Sequence, residues 1–450
     1  MAQMMVDFEL AVRGFSGTYL AEVTIDHGAD STSHAGPYPL AFDLERLASL
    51  LLLPDQYGAA LTEMMFAPGG IREALATARG MASAQRTNMR LRLALGAGAE
   101  VLQGLRWELL HLPGRDERLC TREDILFSRY LAVGASATPP APKAALRALA
   151  AVANPANLAS YGMTPLDMAH EKERAQTGLS GLEIDWLPGE DGKPCTLDRL
   201  VSGVPGHDVL YLVCHGKVVK NQGWLILEDE DGLAARVPAQ DLAKRLAGTL
   251  ALPRLSVLVV CESAGDDGGA FIGSLAPRLV EIGIPAVIAM QGALSFPTSS
   301  LFLPPLFREL LKDGMIDRAV AVARRSIMGR PDEHAPVLLM SLKSGLLWAT
   351  PAASPVQPAP VIHPTPAAAQ NQGSTARPVD QLRLYQVLSG EAFTMEDLEG
   401  LCFTLQVDWE QLRGAVKTAK ARAMIQFFQS RGRMEELVAA IRAERQHLDL

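Results

Sequence analysis

The spacing of apolar residues changes along the chain, and each change predicts a different kind of element. Residues 6–25, VDFELAVRGFSGTYLAEVTI, alternate apolar and polar side chains about a glycine-containing turn. That period of two, with one polar face, predicts a β-hairpin. From Leu40 to about Gly96 the period becomes helical, with breaks at Pro54 and at Pro68-Gly69-Gly70, and predicts two or three helices. The segment LQGLRWELLHLP (102–113) places an isolated Glu108 among Trp107, Leu109 and Leu110, ahead of FSRYLAV (127–133). Glu108 reads as a structural carboxylate, with Arg106 or Arg129 as its partner. An Ala/Pro stretch at 135–158 reads as a connector between subdomains.

From Gly181 onwards β and α patterns alternate. DVLYLVCHG (208–216), WLILEDEDG (224–232), RLSVLVVC (254–261) and IPAVIAMQG (284–292) are short, rich in β-branched residues and bounded by Gly, Pro or charge. They predict strands buried on both faces. Between them lie the helical patterns AQDLAKRLAGTL and GGAFIGSLAPRLVEIG, and then the helix-rich stretch 301–329 and the closing VLLMSLKSGLLW (337–348). The sum is an α/β domain whose mostly parallel sheet is flanked by helices. Residues 1–140 form its N-terminal part and 141–349 its core. Residues 350–380 carry most of a run with seven prolines (349–380) and read as a stiff linker. Residues 381–450 are helical throughout and predict a separate small bundle of four to six helices, with Thr394 and Asp397 spaced as a capping box.

Composition narrows the function. The 450 residues carry a net charge of -8 and no basic block, which argues against nucleic acid as the main partner. No apolar run is long enough to span a membrane, and the N-terminus MAQMMVDFEL has no signal pattern, so a cytoplasmic protein is expected. Five scattered cysteines, Cys120, Cys195, Cys214, Cys261 and Cys402, suit neither a disulfide framework nor a clustered zinc site. No Walker A, HExxH or complete dinucleotide fingerprint occurs, so neither a metal nor another cofactor is expected. A hydrolase elbow also fails, because Val259 and Ser263 stand where its glycines belong.

One pair of residues carries chemistry. His215 ends the strand DVLYLVCHG and Cys261 ends RLSVLVVC, 46 positions later (261 minus 215). A right-handed crossover brings the C-terminal ends of two parallel strands to one edge, where ligand sites of open α/β sheets lie. A thiol and an imidazole meeting there form a nucleophile and its proton-transfer partner. Gly216, without a Cβ, can offer its backbone N–H to an oxyanion, with the N–H of Cys261 as second donor. Cys214 alternates to the other face and reads as core; Cys120, Cys195 and Cys402 read as structural.

These segments, with LRWELL and FSRYL upstream, resemble a CHAT domain, the caspase-like cysteine peptidase module related to separase and the caspases. The resemblance covers most of residues 1–348 and implies a Cys261–His215 dyad that cleaves protein substrates. The surroundings of the nucleophile, VVCESAG, reproduce neither the caspase motif nor the acid two positions before the Cys found in metacaspase-like relatives. Glu262, Asp266 and Asp267 are candidates for an acidic pocket that favours Arg or Lys; a solvated acidic loop is the competing reading. The tail, with MEDLEGLCFTLQVDWEQLRG and then KTAKARAMIQFFQSRGRMEELVAAI, resembles the Death-like effector-associated domains of bacterial conflict proteins. That implies partners bearing a related domain, and recruitment or activation in a defence or cell-death pathway. The alternative is a catalytically silent caspase-like scaffold that assembles partners through the tail.

Overall fold

A computed structural model describes residues 5–15, 18–27, 31–133, 141–142, 146–219, 222–262, 269–292 and 294–349, and, further on, 384, 387–390, 393–405, 407, 409, 412, 417–430 and 433–444. The chain divides into two compact units, Met1–Val356 and Gln357–Leu450.

The N-terminal hairpin forms as its period requires: β1 (Val6–Phe15) pairs antiparallel with β2 (Thr18–Asp26), and β3 (Thr32–Leu40) extends it. Val6, Phe8, Leu10 and Val12 are the buried alternate positions of β1. Helices α1 (Leu44–Ser49), α2 (Pro54–Met65) and α3 (Gly69–Gln85) come next. The helical reading fails after Gln85, where MRLRLAL forms β4 (Met89–Leu95), parallel to β1. Two buried arginines made this strand hard to recognise: Arg90 pairs with Asp7 and Asp317, and Arg92 with Asp7 and Glu9. Those partners are distant in sequence, so the charges look solvent-facing until the chain folds.

β5 (Ile125–Tyr130) continues the sheet, and β6 (Ala141–Pro142) pairs apart from it with β15 (Trp348–Ala349). The stretch expected to be a connector contains β7 (Arg147–Val152), a strand between β8 (Glu183–Leu187) and β9 (Val209–Val219). Its alanines have weak β propensity, but burial from Ala148 to Val152 overrides that preference. Helices α4 (Met168–Gly178) and α5 (Leu197–Gly203) flank β8 in sequence. Then come β10 (Gln222–Glu228), β11 (Ala234–Pro238), α6 (Ala239–Ala247), β12 (Leu255–Glu262), α7 (Gly269–Glu281), β13 (Ala286–Met290), α8 (Phe296–Asp313), α9 (Ile316–Ser326) and β14 (Pro336–Met340). Among the described residues the main sheet has 13 strands, in the order β11-β10-β9-β12-β13-β14-β5-β4-β1-β2-β3, with β7 and β8 branching from β9.

Alternation along the central strands sorts the core into two layers. Val209, Tyr211 and Val213 of β9, Leu255, Val257 and Val259 of β12, and Ile288 of β13 pack with Phe302, Leu306 and Leu310 of α8 and Val320 of α9. The opposite face, Leu210, Leu212, Cys214, Leu258 and Val260, packs with Leu200, Leu242, Leu246, Leu275 and Leu279 of α5, α6 and α7. Cys214 is therefore core.

In the C-terminal unit, α10 (Met395–Thr404), α11 (Lys417–Ser430) and α12 (Met434–Glu444) bury Leu398, Leu401, Cys402, Met424, Phe428, Leu437 and Ile441. The capping box forms: the Thr394 N–H and hydroxyl donate to Asp397 Oδ2 at 2.7 and 2.8 Å, and the Asp397 N–H donates back to Thr394 Oγ1 at 3.2 Å. Lys420 turns inward, its ammonium donating to the carbonyls of Trp409 and Leu412 at 2.9 and 2.6 Å.

Candidate active site

The parallel ladder between β9 and β12 pairs Leu255 with Val209 and advances residue by residue to Cys261 opposite His215 and Glu262 opposite Gly216. Both strands point the same way, so this is the C-terminal end of their shared ladder; β9 does not stop at His215 as its pattern predicted but runs on to Val219, paired there with β10. Positions 215 and 261 also belong to the same alternating series as 209, 211, 213 and 255, 257, 259, whose side chains pack under α8 and α9. The backbone thus brings the two positions to one edge and one face. The side chains of Cys261 and Glu262, and residues Asp266 and Asp267 entirely, lie outside the described residues.

His215 is buried and its Nε2 lies 2.9 Å from the backbone carbonyl of Thr164. A carbonyl can only accept, so Nε2 carries the hydrogen and, in the neutral ring, Nδ1 keeps its lone pair. Burial lowers the imidazole pKa below its ordinary value, and the Thr164 bond opposes that shift without reversing it. The ring is therefore neutral near pH 7, oriented by one nitrogen and able to accept a proton at the other. Gly216 is buried, opposite Leu225 of β10 on one side and Glu262 of β12 on the other.

Sequence reasoning missed Thr164, which lies 51 residues before His215 in a loop between β7 and α4. The signal available was Thr164-Pro165, since a residue before proline is restricted to extended conformations. Sequence reasoning did recognise Glu108, whose partner proves to be Arg129: guanidinium to carboxylate at 2.5 and 3.2 Å. Arg106 instead donates to the Leu51 carbonyl at 2.8 Å. Arg324 lies 3.7 Å from the same buried carboxylate, which thus acts as the counter-ion of two buried cations.

The remaining described thiols are buried. Burial pushes Cys120 and Cys195 up to about 12 and Cys402 up to about 11, so all three stay protonated and poorly nucleophilic. A basin of about 980 Å³ lies elsewhere, lined by Asp55, Arg118, Arg122 and Glu333 among others. Two of the guanidiniums on its wall are already matched, Arg118 by Asp55 and Glu333, and Arg122 by Glu117 and Asp124. Among the described residues no group of His, Cys, Asp and Glu is arranged to hold a metal, and no helix is long and apolar enough to cross a membrane.

Comparison with protein families finds a match to the CHAT domain over residues 55–378 and to effector-associated domain 7 over residues 385–446. No curated protein matches. Among solved structures, the chain is similar to one in the Saccharomyces cerevisiae separase–securin complex, with a TM-score of 0.34 and 11% identity. The likeness covers 70% of this chain and 21% of that one, so this chain spans about a fifth of its length.

Proposed function

This chain belongs to the CHAT domain family, and from that premise we propose that it is a cysteine endopeptidase with Cys261 as nucleophile and His215 as its proton-transfer partner. The observation that carries the reading is the β9–β12 register, in which residues 261 and 215 are partners at one sheet edge. In this reading Nδ1 of the neutral His215 takes the proton of the Cys261 thiol. The resulting thiolate attacks the scissile carbonyl carbon, so that an S–C bond forms and the carbonyl electron pair moves onto oxygen. The N–H groups of Gly216 and Cys261 hold that oxyanion. His215 gives a proton to the departing amine as the C–N bond breaks. It then takes a proton from the water that attacks the thioester, releasing the acid and restoring the thiol. Glu262, Asp266 and Asp267 are the candidates for an acidic pocket that favours a basic residue before the cleaved bond, with a solvated acidic loop as the alternative.

The C-terminal unit, which matches an effector-associated domain, recruits the peptidase to other proteins bearing a related domain. It acts in a cytoplasmic defence or cell-death pathway of bacteria, where cleavage is kept low until the partner binds. Replacing Cys261→Ala and His215→Ala separately tests the dyad, with cleavage of a peptide library varied at the residue before the scissile bond as readout. Loss of cleavage in both variants with the fold retained supports it; full cleavage by either overturns it. If Cys261 also fails to react with an electrophilic peptide probe, even with the partner present, the catalytically silent scaffold becomes the better reading.

A further inference from the structure

The loop that presents the Thr164 carbonyl to His215 is closed by a side chain with no other evident task. Asn154 lies two residues after β7, and its amide bonds both ways with the backbone of Leu166: Nδ2 donates to the Leu166 carbonyl at 3.1 Å, and Oδ1 accepts from the Leu166 N–H at 2.8 Å. This side chain imitates a strand partner and ties the loop shut two residues from Thr164. Asn154 is itself anchored, since its N–H donates at 2.8 Å to Glu228, a buried carboxylate that also accepts the Cys195 N–H at 2.5 Å. Inside the loop, Leu158 and Met163 pack on Ile226, and Asn157 Oδ1 accepts the Ala234 N–H at 2.8 Å. Asn154 and Thr164 each precede a proline, Pro155 and Pro165, which keeps both out of the helical region.

We propose that Asn154 and Pro165 are positioning residues for the proton-transfer partner: they aim the Thr164 carbonyl at Nε2 of His215 and thereby select the tautomer whose Nδ1 can accept a proton. The inference deepens the dyad reading and rests on it for its catalytic meaning. The geometry it explains, a loop clamped at its base beside a carbonyl bonded to a buried imidazole, stands apart from any turnover. Closing the loop limits the positions the carbonyl can take, and a catalytic group displaced by about 1 Å loses roughly a hundredfold in rate.

Full-length protein labelled with ¹⁵N-histidine provides a readout independent of activity. The His215 signals are assigned by their loss in His215→Gln. In the wild type, above the titration of the ring, Nε2 shows the shift of a protonated nitrogen and Nδ1 that of an unprotonated one. Asn154→Ala moves both towards intermediate values as the tautomers mix, and lowers kcat by roughly ten- to a hundredfold with little change in KM. Asn154→Asp keeps the acceptor for the Leu166 N–H and loses the donor, so it falls between the two. Pro165→Ala removes no hydrogen bond and moves the shifts the same way by less; it decides the matter if Asn154→Ala does not fold. Wild-type shifts in Pro165→Ala and Asn154→Ala overturn the inference. A wild type that shows no peptidase activity even with the partner bound overturns the dyad reading instead, and the ¹⁵N shifts still decide whether Asn154 sets the tautomer.

Discussion

Two buried polar centres in the main unit show how similar ingredients serve different ends. At the first, Glu108, Arg129 and Arg324 are fully buried, and their bonding groups are engaged by one another, by backbone and by the Gln291 side chain. Arg129 donates to Glu108, to the Gln103 and Leu105 carbonyls and to Gln291, while Arg324 donates to the Phe127 and Pro336 carbonyls. At the second, among the described residues, a single carbonyl holds one nitrogen of His215 and orients the other. Closed networks of the first kind couple elements that are far apart in sequence, here β5, α9 and the 103–108 segment. A group held at one nitrogen, where the β9–β12 ladder ends, suits the proton exchange proposed for it. Burial alone therefore does not mark a catalytic residue; what matters is whether its bonding capacity is exhausted.

The contrast can be broken by substitution. Glu108→Ala leaves two guanidiniums buried without their counter-ion and is expected to cost about 3–5 kcal/mol, read as a fall in the urea midpoint of the main unit. His215→Ala is expected to do the reverse. Cleavage falls about 10²–10⁴-fold, while stability changes by only about 1 kcal/mol, the worth of one hydrogen bond. If Glu108→Ala kept wild-type stability, or His215→Ala unfolded the protein, the division between the two centres would be misdrawn.

Lowering the pH sharpens it further. Burial, with Arg106 and Arg118 nearby, lowers the His334 pKa to about 4. The unfolded chain therefore binds this proton first, and its contribution is complete above about 6.5 and lost progressively as the pH falls towards 4. Between pH 7 and 5 the main unit should lose about 2 kcal/mol from this group, and His334→Gln should lessen the pH dependence by that amount in urea titrations at the two pH values. The smallest effect belongs to the C-terminal unit, where Thr394→Ala removes the cap of α10 and costs about 1 kcal/mol. Monitored by hydrogen exchange in α10–α12, that loss should leave β9 and β12 unchanged.

The amino-acid sequence by itself determined the parts whose cause is local. Alternation set the N-terminal hairpin, runs of β-branched residues set β9, β12 and β13, and the Thr394–Asp397 spacing set a helix start. The same runs, ending in His215 and Cys261, made the candidate dyad legible, because strand parity and a parallel crossover follow from short-range rules. Tertiary structure decided what depends on partners brought from afar. β4 was concealed by Arg90 and Arg92, whose neutralising carboxylates lie elsewhere in the chain, and β7 by alanines that become strand through burial between β8 and β9. The choice of Arg129 over Arg106 for Glu108, and of the Thr164 carbonyl for His215, likewise came from folding. A side chain's bonding partner is selected by distance in space, and a linear pattern records that only when the partner is also near in sequence.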